Sequence, residues 1–271
     1  MKKYILFLLI AFNSPNIFCQ NIDEILTKYE KANGGKEAFA AVKTLQYNTV
    51  MKLNMMGMPM DINIATYTEA NKMYRKEMAG MMGMKGSYTL VTDSVGYVFT
   101  PTVPSFGEFQ GMEGGLKKME KDVLAKAQLK LDPMIDFSSL IDCIAKGNKA
   151  ELLGTQKVEK IDCYKIKLTN KDGGVATYYI DIETMITKQV ELMGKQIVSQ
   201  LGLDGGPMSE MMGGRIDKQK MIVLYSEYKD VSGIKFPSKQ KIQFGAVDIE
   251  IENSDIEINQ TIDKKWYLPK N

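Results

Sequence analysis

Methionine is the residue whose number and spacing could do chemistry in this chain. There are twenty, and they cluster at Met55, Met56, Met58 and Met60, between Met78 and Met84, and from Met208 to Met212. Closely spaced thioethers are soft donors that suit Cu(I). The same side chains are flexible and polarizable, so a methionine-rich surface also suits apolar ligands of variable shape, such as acyl chains or lipidated segments. A third reading, gap-filling core methionines plus flexible loop tips, requires no ligand at all.

Other chemistries are poorly supplied. The chain has no histidine, which removes Ser-His-Asp and Cys-His catalysis and the commonest zinc ligands. No glycine-rich phosphate loop is present. Acids such as Glu250 and Glu252 alternate with Ile249 and Ile251, the pattern of a strand's wet face rather than of a catalytic carboxylate pair. Cys143 and Cys163 lack the Cys-x-x-Cys spacing of a metal or redox site. In an oxidising compartment they form either one disulfide or two buried thiols, and the sequence leaves both open. Enzymatic activity therefore has no support, and no cofactor or metal is expected.

The compartment is set by the N-terminus. Lys2 and Lys3 precede an apolar run from Tyr4 to Phe12, which Asn13-Ser14-Pro15 breaks. This is the layout of a secretory signal peptide over residues 1–20, and the run is too short to span a bilayer. Ile17 and Phe18 argue against a lipidated Cys19. The mature chain, residues 21–271, is expected to be a periplasmic, monomeric single domain. Without Lys2 and Lys3 it carries 33 basic and 33 acidic residues, and only Arg75 and Arg215 are arginines. A neutral, lysine-dominated surface argues against a nucleic-acid partner.

Asn21 and Glu24 fit a helix N-cap and its reciprocal partner, Ile22, Ile25, Leu26 and Tyr29 recur at helical spacing, and Gly34-Gly35 ends the helix. A short turn over 36–42 follows. From Thr44 the period becomes two. Leu45, Tyr47, Thr49, Met51 and Leu53 form one arm, Gly57-Met58-Pro59 the turn, and Met60, Ile62, Ile64 and Thr66 the other arm. Short strands separated by turn signals continue to about residue 100, which predicts an antiparallel meander. A helical insertion is expected at about 114–146. Strands resume at 150, broken by a Met/Gly-rich loop at about 194–215. A change of parity between Ile249/Ile251 and Ile256/Ile258 predicts a bulge near 253–255. Met56, Met58, Met60, Ile62 and Ile64 share one parity and would line one face. Met51, Leu53 and Met55 form an equally apolar opposite parity, so the choice of face stays open.

The order of these pieces resembles the periplasmic outer-membrane lipoprotein carrier (LolA-like) family. The matching residues are the helix from Ile22 to Asn33 with Gly34-Gly35 and Thr44-Leu45, and the turn Glu69-Ala70-Asn71-Lys72-Met73-Tyr74-Arg75. Thr92-Asp93-Ser94-Val95-Gly96-Tyr97-Val98-Phe99-Thr100-Pro101, Gly233-Ile234-Lys235-Phe236-Pro237-Ser238, Glu257-Ile258-Asn259 and the segment from Trp266 to Pro269 complete the match. The resemblance implies a mainly β (α+β) fold: an incomplete, strongly curved antiparallel β-barrel with helices on its concave side. It implies a carrier or binding protein for acyl chains, lipoproteins or other amphiphiles, with Arg75 helping to hold a closed lid. The methionine clusters and the 194–215 segment depart from the family pattern. A non-carrier envelope sensor that binds other envelope proteins through the same face is the alternative.

Overall fold

A computed structural model describes residues 21–55, 58–80, 85–105, 111, 113–201, 219–244 and 247–270. The expected signal peptide, Met56 and most of the methionine clusters lie outside the described residues.

Helix α1 (Ile22–Ala32) begins at Asn21, whose side chain accepts the Asp23 N–H at 3.1 Å; the expected reciprocal role of Glu24 is not part of this cap. Ile25, Leu26 and Tyr29 form its buried stripe. Gly34 stops it with φ +122°, and a Cβ there would meet the Gly233 carbonyl at 2.8 Å, so the position admits only glycine. Helix α2 (Lys36–Ala40) buries Phe39.

Strands β1 (Thr44–Met55) and β2 (Met58–Glu69) pair without a break from Thr44↔Glu69 to Met55↔Met58. Met58 and Pro59 therefore belong to the strand and not to the turn. β3 (Met73–Met78), β4 (Ser87–Thr92), β5 (Gly96–Thr100) and β6 (Gly115–Lys118) extend the meander on one side. On the other side follow β7 (Lys149–Val158), β8 (Ile161–Thr169), β9 (Val175–Asp181), β10 (Thr187–Met193), β11 (Lys220–Val231), β12 (Ile234–Phe244) and β13 (Val247–Ile258). Pairing of β1 with β13 joins the halves into one antiparallel sheet of 13 strands whose ends, β6 and β7, do not pair. A sheet this wide must curl, and side chains from β1–β3 and β9–β13 share one cavity. The fold is thus the incomplete, curved barrel that the sequence predicts. The register slip near Asn48, opposite Ser254, is the bulge expected near 253–255.

Two expectations about the connections need correction. The 114–146 insertion is helical only in helix α3 (Lys121–Ala127) and a 3-10 turn (Gln128–Leu131). It opens with strand β6, because Leu116 pairs across from Phe99 and joins an apolar cluster. Beyond Pro133, which disfavours helix in the residue before it, residues 133–147 form consecutive turns. Their apolar residues Met134, Leu140, Ile141 and Cys143 follow core packing rather than a helical stripe. The 194–215 segment begins as helix α4 (Gly194–Leu201), with Ile197 buried in the sheet's core. The rest of that segment lies outside the described residues.

Candidate functional site

The concave face carries two apolar clusters. One, around Leu45, Ile166, Leu168, Ile180, Ile234 and Phe236, lies under α1, α2 and residues 134–143. The other, around Met51, Leu53, Ile62, Ile64, Val223, Ile249 and Ile251, lies against Ile197 of α4. Between them lies a cavity of about 140 Å³. Its wall combines Ile64, Val190, Leu192, Ile197, Val223 and Ile251 with the tyrosines Tyr29, Tyr47, Tyr178, Tyr225 and Tyr228.

Residues 134–140 plug this face. The Phe137 ring sits edge-on to Tyr47 (5.8 Å between centroids) and to Phe236 (5.2 Å). Polar contacts hold the plug at its margins. Asp136 pairs with Lys130 at 2.7 Å, Asp142 with Lys36 at 2.7 Å, and the Asp142 N–H donates to Glu30 Oε1 at 2.6 Å.

These tyrosines, Tyr29 buried and the others partly buried, are neutral phenols. Tyr29 shares a 3.1 Å hydrogen bond with Thr187 Oγ1, and Tyr228 donates to the Thr187 carbonyl at 2.7 Å. Burial pushes the Tyr29 pKa up to about 12, against the pull of the Thr187 hydroxyl. Burial likewise raises Tyr47, Tyr178, Tyr225 and Tyr228 above the ordinary phenol value. Thr49 Oγ1 and Asn253 Oδ1 lie in hydrogen bond at 2.8 Å on the same face.

The predicted lining residues fall as follows. Ile62 and Ile64 are buried in the second cluster, and Met60 packs against it; Ile64 reaches the cavity. Met58 lies in β2 opposite Met55, and Met56 is outside the described residues. The two alternative faces are one face: Met51 pairs with Ile62 and Leu53 with Met60, and directly opposed residues of an antiparallel pair project to the same side. The tyrosine lining was missed, because Tyr29, Tyr47, Tyr178, Tyr225 and Tyr228 come from α1, β1, β9 and β11 and share no local motif.

Arg75 departs from its expected role. It pairs across β2 with Tyr67, on the outer face, and is fully buried there. The C-terminal segment, with a 3-10 turn at Lys264–Tyr267, lies over it. Its guanidinium stacks on Tyr88 at 4.1 Å, donates to the Leu268 carbonyl at 2.9 Å and to Glu77 Oε1 at 2.8 Å. Tyr67 stacks on Trp266 at 4.5 Å, and Tyr267 bonds Glu69. Arg75 therefore fastens the chain's C-terminal segment rather than a lid over the cavity, since alternation along β3 turns its side chain away from the concave face.

Cys143 and Cys163 are free and buried. Cys143 packs with Ile166 and Leu168 under the plug, whereas Cys163 packs with Val158 and Tyr179. On β8 Cys163 alternates with Tyr164, Ile166 and Leu168, so the sheet lies between the two thiols. Among the described residues no cluster of His, Cys, Asp or Glu could hold a metal, and no helix is long and apolar enough to cross a membrane.

No protein-family model matches the chain, and no curated protein matches it by sequence. Solved structures do share its architecture. A LolA superfamily protein from Nitrosomonas europaea is 10% identical with a TM-score of 0.51, covering 91% of this chain and 97% of that one. A protein described as an outer membrane lipoprotein-sorting domain, from Vibrio parahaemolyticus, is 10% identical with a TM-score of 0.51, covering 90% and 94%. The fold is LolA-like.

Proposed function

We propose that this protein is exported to the periplasm and there binds or carries acyl chains, lipidated proteins or similar amphiphiles, held on the concave face of its sheet. The observation that carries the reading is the cavity between that face, helix α4 and the plug, walled on one side by aliphatic side chains from five strands. The LolA-like fold agrees with it. Met60, Ile62 and Ile64 line the route of the chain.

At about 140 Å³ the cavity has the size that admits a benzene-like group. Ligand sites ordinarily run to roughly 300–1,000 Å³. A whole acyl chain thus requires the plug or α4 to move outward, and each methylene it buries supplies about 0.8 kcal/mol toward that movement. The plug is suited to this, being irregular and held at its margin by ion pairs that are partly exposed.

Organic extraction of protein purified from the envelope, followed by mass spectrometry, tests the proposal together with titration of a fluorescent fatty acid. Co-purified acyl species and saturable binding are expected. Absence of both would sink it, and tight Cu(I) binding in their place would favour the thioether alternative.

A further inference from the structure

The end of the sheet where β1 begins, β2 turns into β3 and β13 runs out carries an open groove of about 980 Å³. Lys43, Lys72 and Lys264 line it, with Glu69 as the acid in its wall. The ion pairs here join Lys72 to Glu69 at 2.5 Å and Lys265 to Asp263 at 3.0 Å. They leave the exposed Lys43 and Lys264 without an acid partner among the described residues. The groove and residues 263–270 together hold five lysines, Lys43, Lys72, Lys264, Lys265 and Lys270, against Glu69 and Asp263. Glu257, just before the groove on β13, accepts Gln46 Nε2 at 2.5 Å, and even with its charge counted the excess is two. Residues 21–271 as a whole balance their charges, so this end is basic by arrangement and not by composition.

Apolar and aromatic side chains stand among these lysines. Leu268 lines the same groove and, at 63% exposure, is the most exposed large apolar residue of those described. Lys265 and Lys270 lie over the Trp266 ring, 4.9 and 4.4 Å from its centroid, and Tyr267 lies in the groove wall. Lysines interleaved with aromatic rings and a projecting leucine match a lipid–water interface, where phosphates take the cations and rings sit at head-group level. Charge alone would suit an acidic protein equally; the projecting Leu268 favours a bilayer. The groove also adjoins the start of the plug, since the Asn71 N–H, next to Lys72, donates to the Leu131 carbonyl at 3.0 Å.

We infer that this end of the sheet docks on a bilayer containing anionic phospholipid, with Lys43, Lys72 and Lys264 at the phosphates and Leu268 dipping into the head-group layer. Each lysine at an anionic surface strengthens binding about fivefold, so the contact is reversible, and it holds the first residues of the plug beside the membrane. The docking surface is separate from the cavity and does not rest on ligand binding there.

The test sediments the purified protein with vesicles of phosphatidylcholine, either pure or with about a third of phosphatidylglycerol, at about 0.05 M and about 0.5 M salt. Binding is expected to the anionic vesicles at low salt, with little at high salt or on the neutral ones. Lys43→Gln with Lys264→Gln should weaken it about thirtyfold, the worth of two lysines. Lys157→Gln with Lys160→Gln, on the β7–β8 hairpin at an outer edge of the sheet, should leave it nearly unchanged. Thermal melts establish that both double variants fold. Equal binding to the two vesicle types, no binding to either, or undiminished binding of the folded Lys43/Lys264 variant would overturn the docking surface. So would an equal loss in the Lys157/Lys160 variant, which would trace the binding to net charge. Fatty-acid titration of the same variants should match the unaltered protein, so failure of the docking surface leaves the amphiphile reading standing.

Discussion

Arg75 and Lys76 are neighbours on β3 and work on opposite sides of the sheet. Arg75 is sealed beneath the C-terminal segment, between the Tyr88 ring and the Leu268 carbonyl, with Glu77 as its counter-ion. Lys76 lines the cavity on the other side, directly opposite Thr66 of β2 and in the same wall as the tyrosines. Both faces bury polar groups, but they do so differently. On the outer face a full charge is bound by several partners at once, and such a network fixes one arrangement. On the concave face phenols and amides share the cavity wall with Lys76, Asp136 and Lys235, and space remains beside them. The outer face is a fastening, whereas the concave face encloses free space.

The largest test of this contrast is Arg75→Ala. Removing one partner of a buried pair should cost about 3–5 kcal/mol, read as a fall in the denaturant midpoint, with fatty-acid affinity of the folded fraction unchanged. Deleting residues 263–271 should destabilise too, and the two changes together should cost clearly less than their sum, because they break one network. An Arg75 variant of unchanged stability and altered ligand affinity would return Arg75 to the lid.

Alkali should break the concave face first. With its pKa held at about 12 by burial, Tyr29 stays protonated in the folded chain after the unfolded chain begins to ionise near pH 10. The folded state then holds more protons than the unfolded one, so this contribution is complete below pH 10 and is lost as pH rises toward 12. For Tyr29 alone the loss reaches roughly 3 kcal/mol, and the other concave phenols act in the same direction. Equilibrium unfolding between pH 9 and 12 should show the decline, and Tyr29→Phe should make it shallower.

Filling the cavity sharpens the contrast from the other side. Val223→Phe places a ring in the space beside Ile64 and Ile251. It should keep stability within about 1 kcal/mol yet weaken fatty-acid binding at least tenfold, measured by the same titration. Unaltered binding would mean that the ligand lies elsewhere.

The smallest expected effect is that of a reductant. A bridge closing the 143–163 loop would contribute roughly 3 kcal/mol. Cys143 and Cys163 are free, so dithiothreitol should leave the melting temperature where it is. A clear drop would show that a bridge forms after all.

Most of the strands were legible because a half-buried strand writes its own period. Met51 and Leu53, or Ile62 and Ile64, alternate with polar neighbours that face water, and no distant residue is needed to see it. Helix α1 was legible for the same reason, through Asn21, its apolar stripe and Gly34-Gly35. The plug was not, since Met134, Phe137 and Leu140 follow the shape of the surface beneath them and no period of their own. What the sequence determined by itself was therefore local: where strands run, where they turn, and that one side of each is apolar. Which side faces which partner belonged to the tertiary structure. The pairing Met55↔Met58 puts the odd-numbered residues of β1 beside the even-numbered residues of β2, which merges two apparent faces into one. The same registers, carried across the sheet, gather tyrosines far apart in sequence into a single belt and send Arg75 to the opposite side. Register is a contact between strands, and no single strand's pattern contains it.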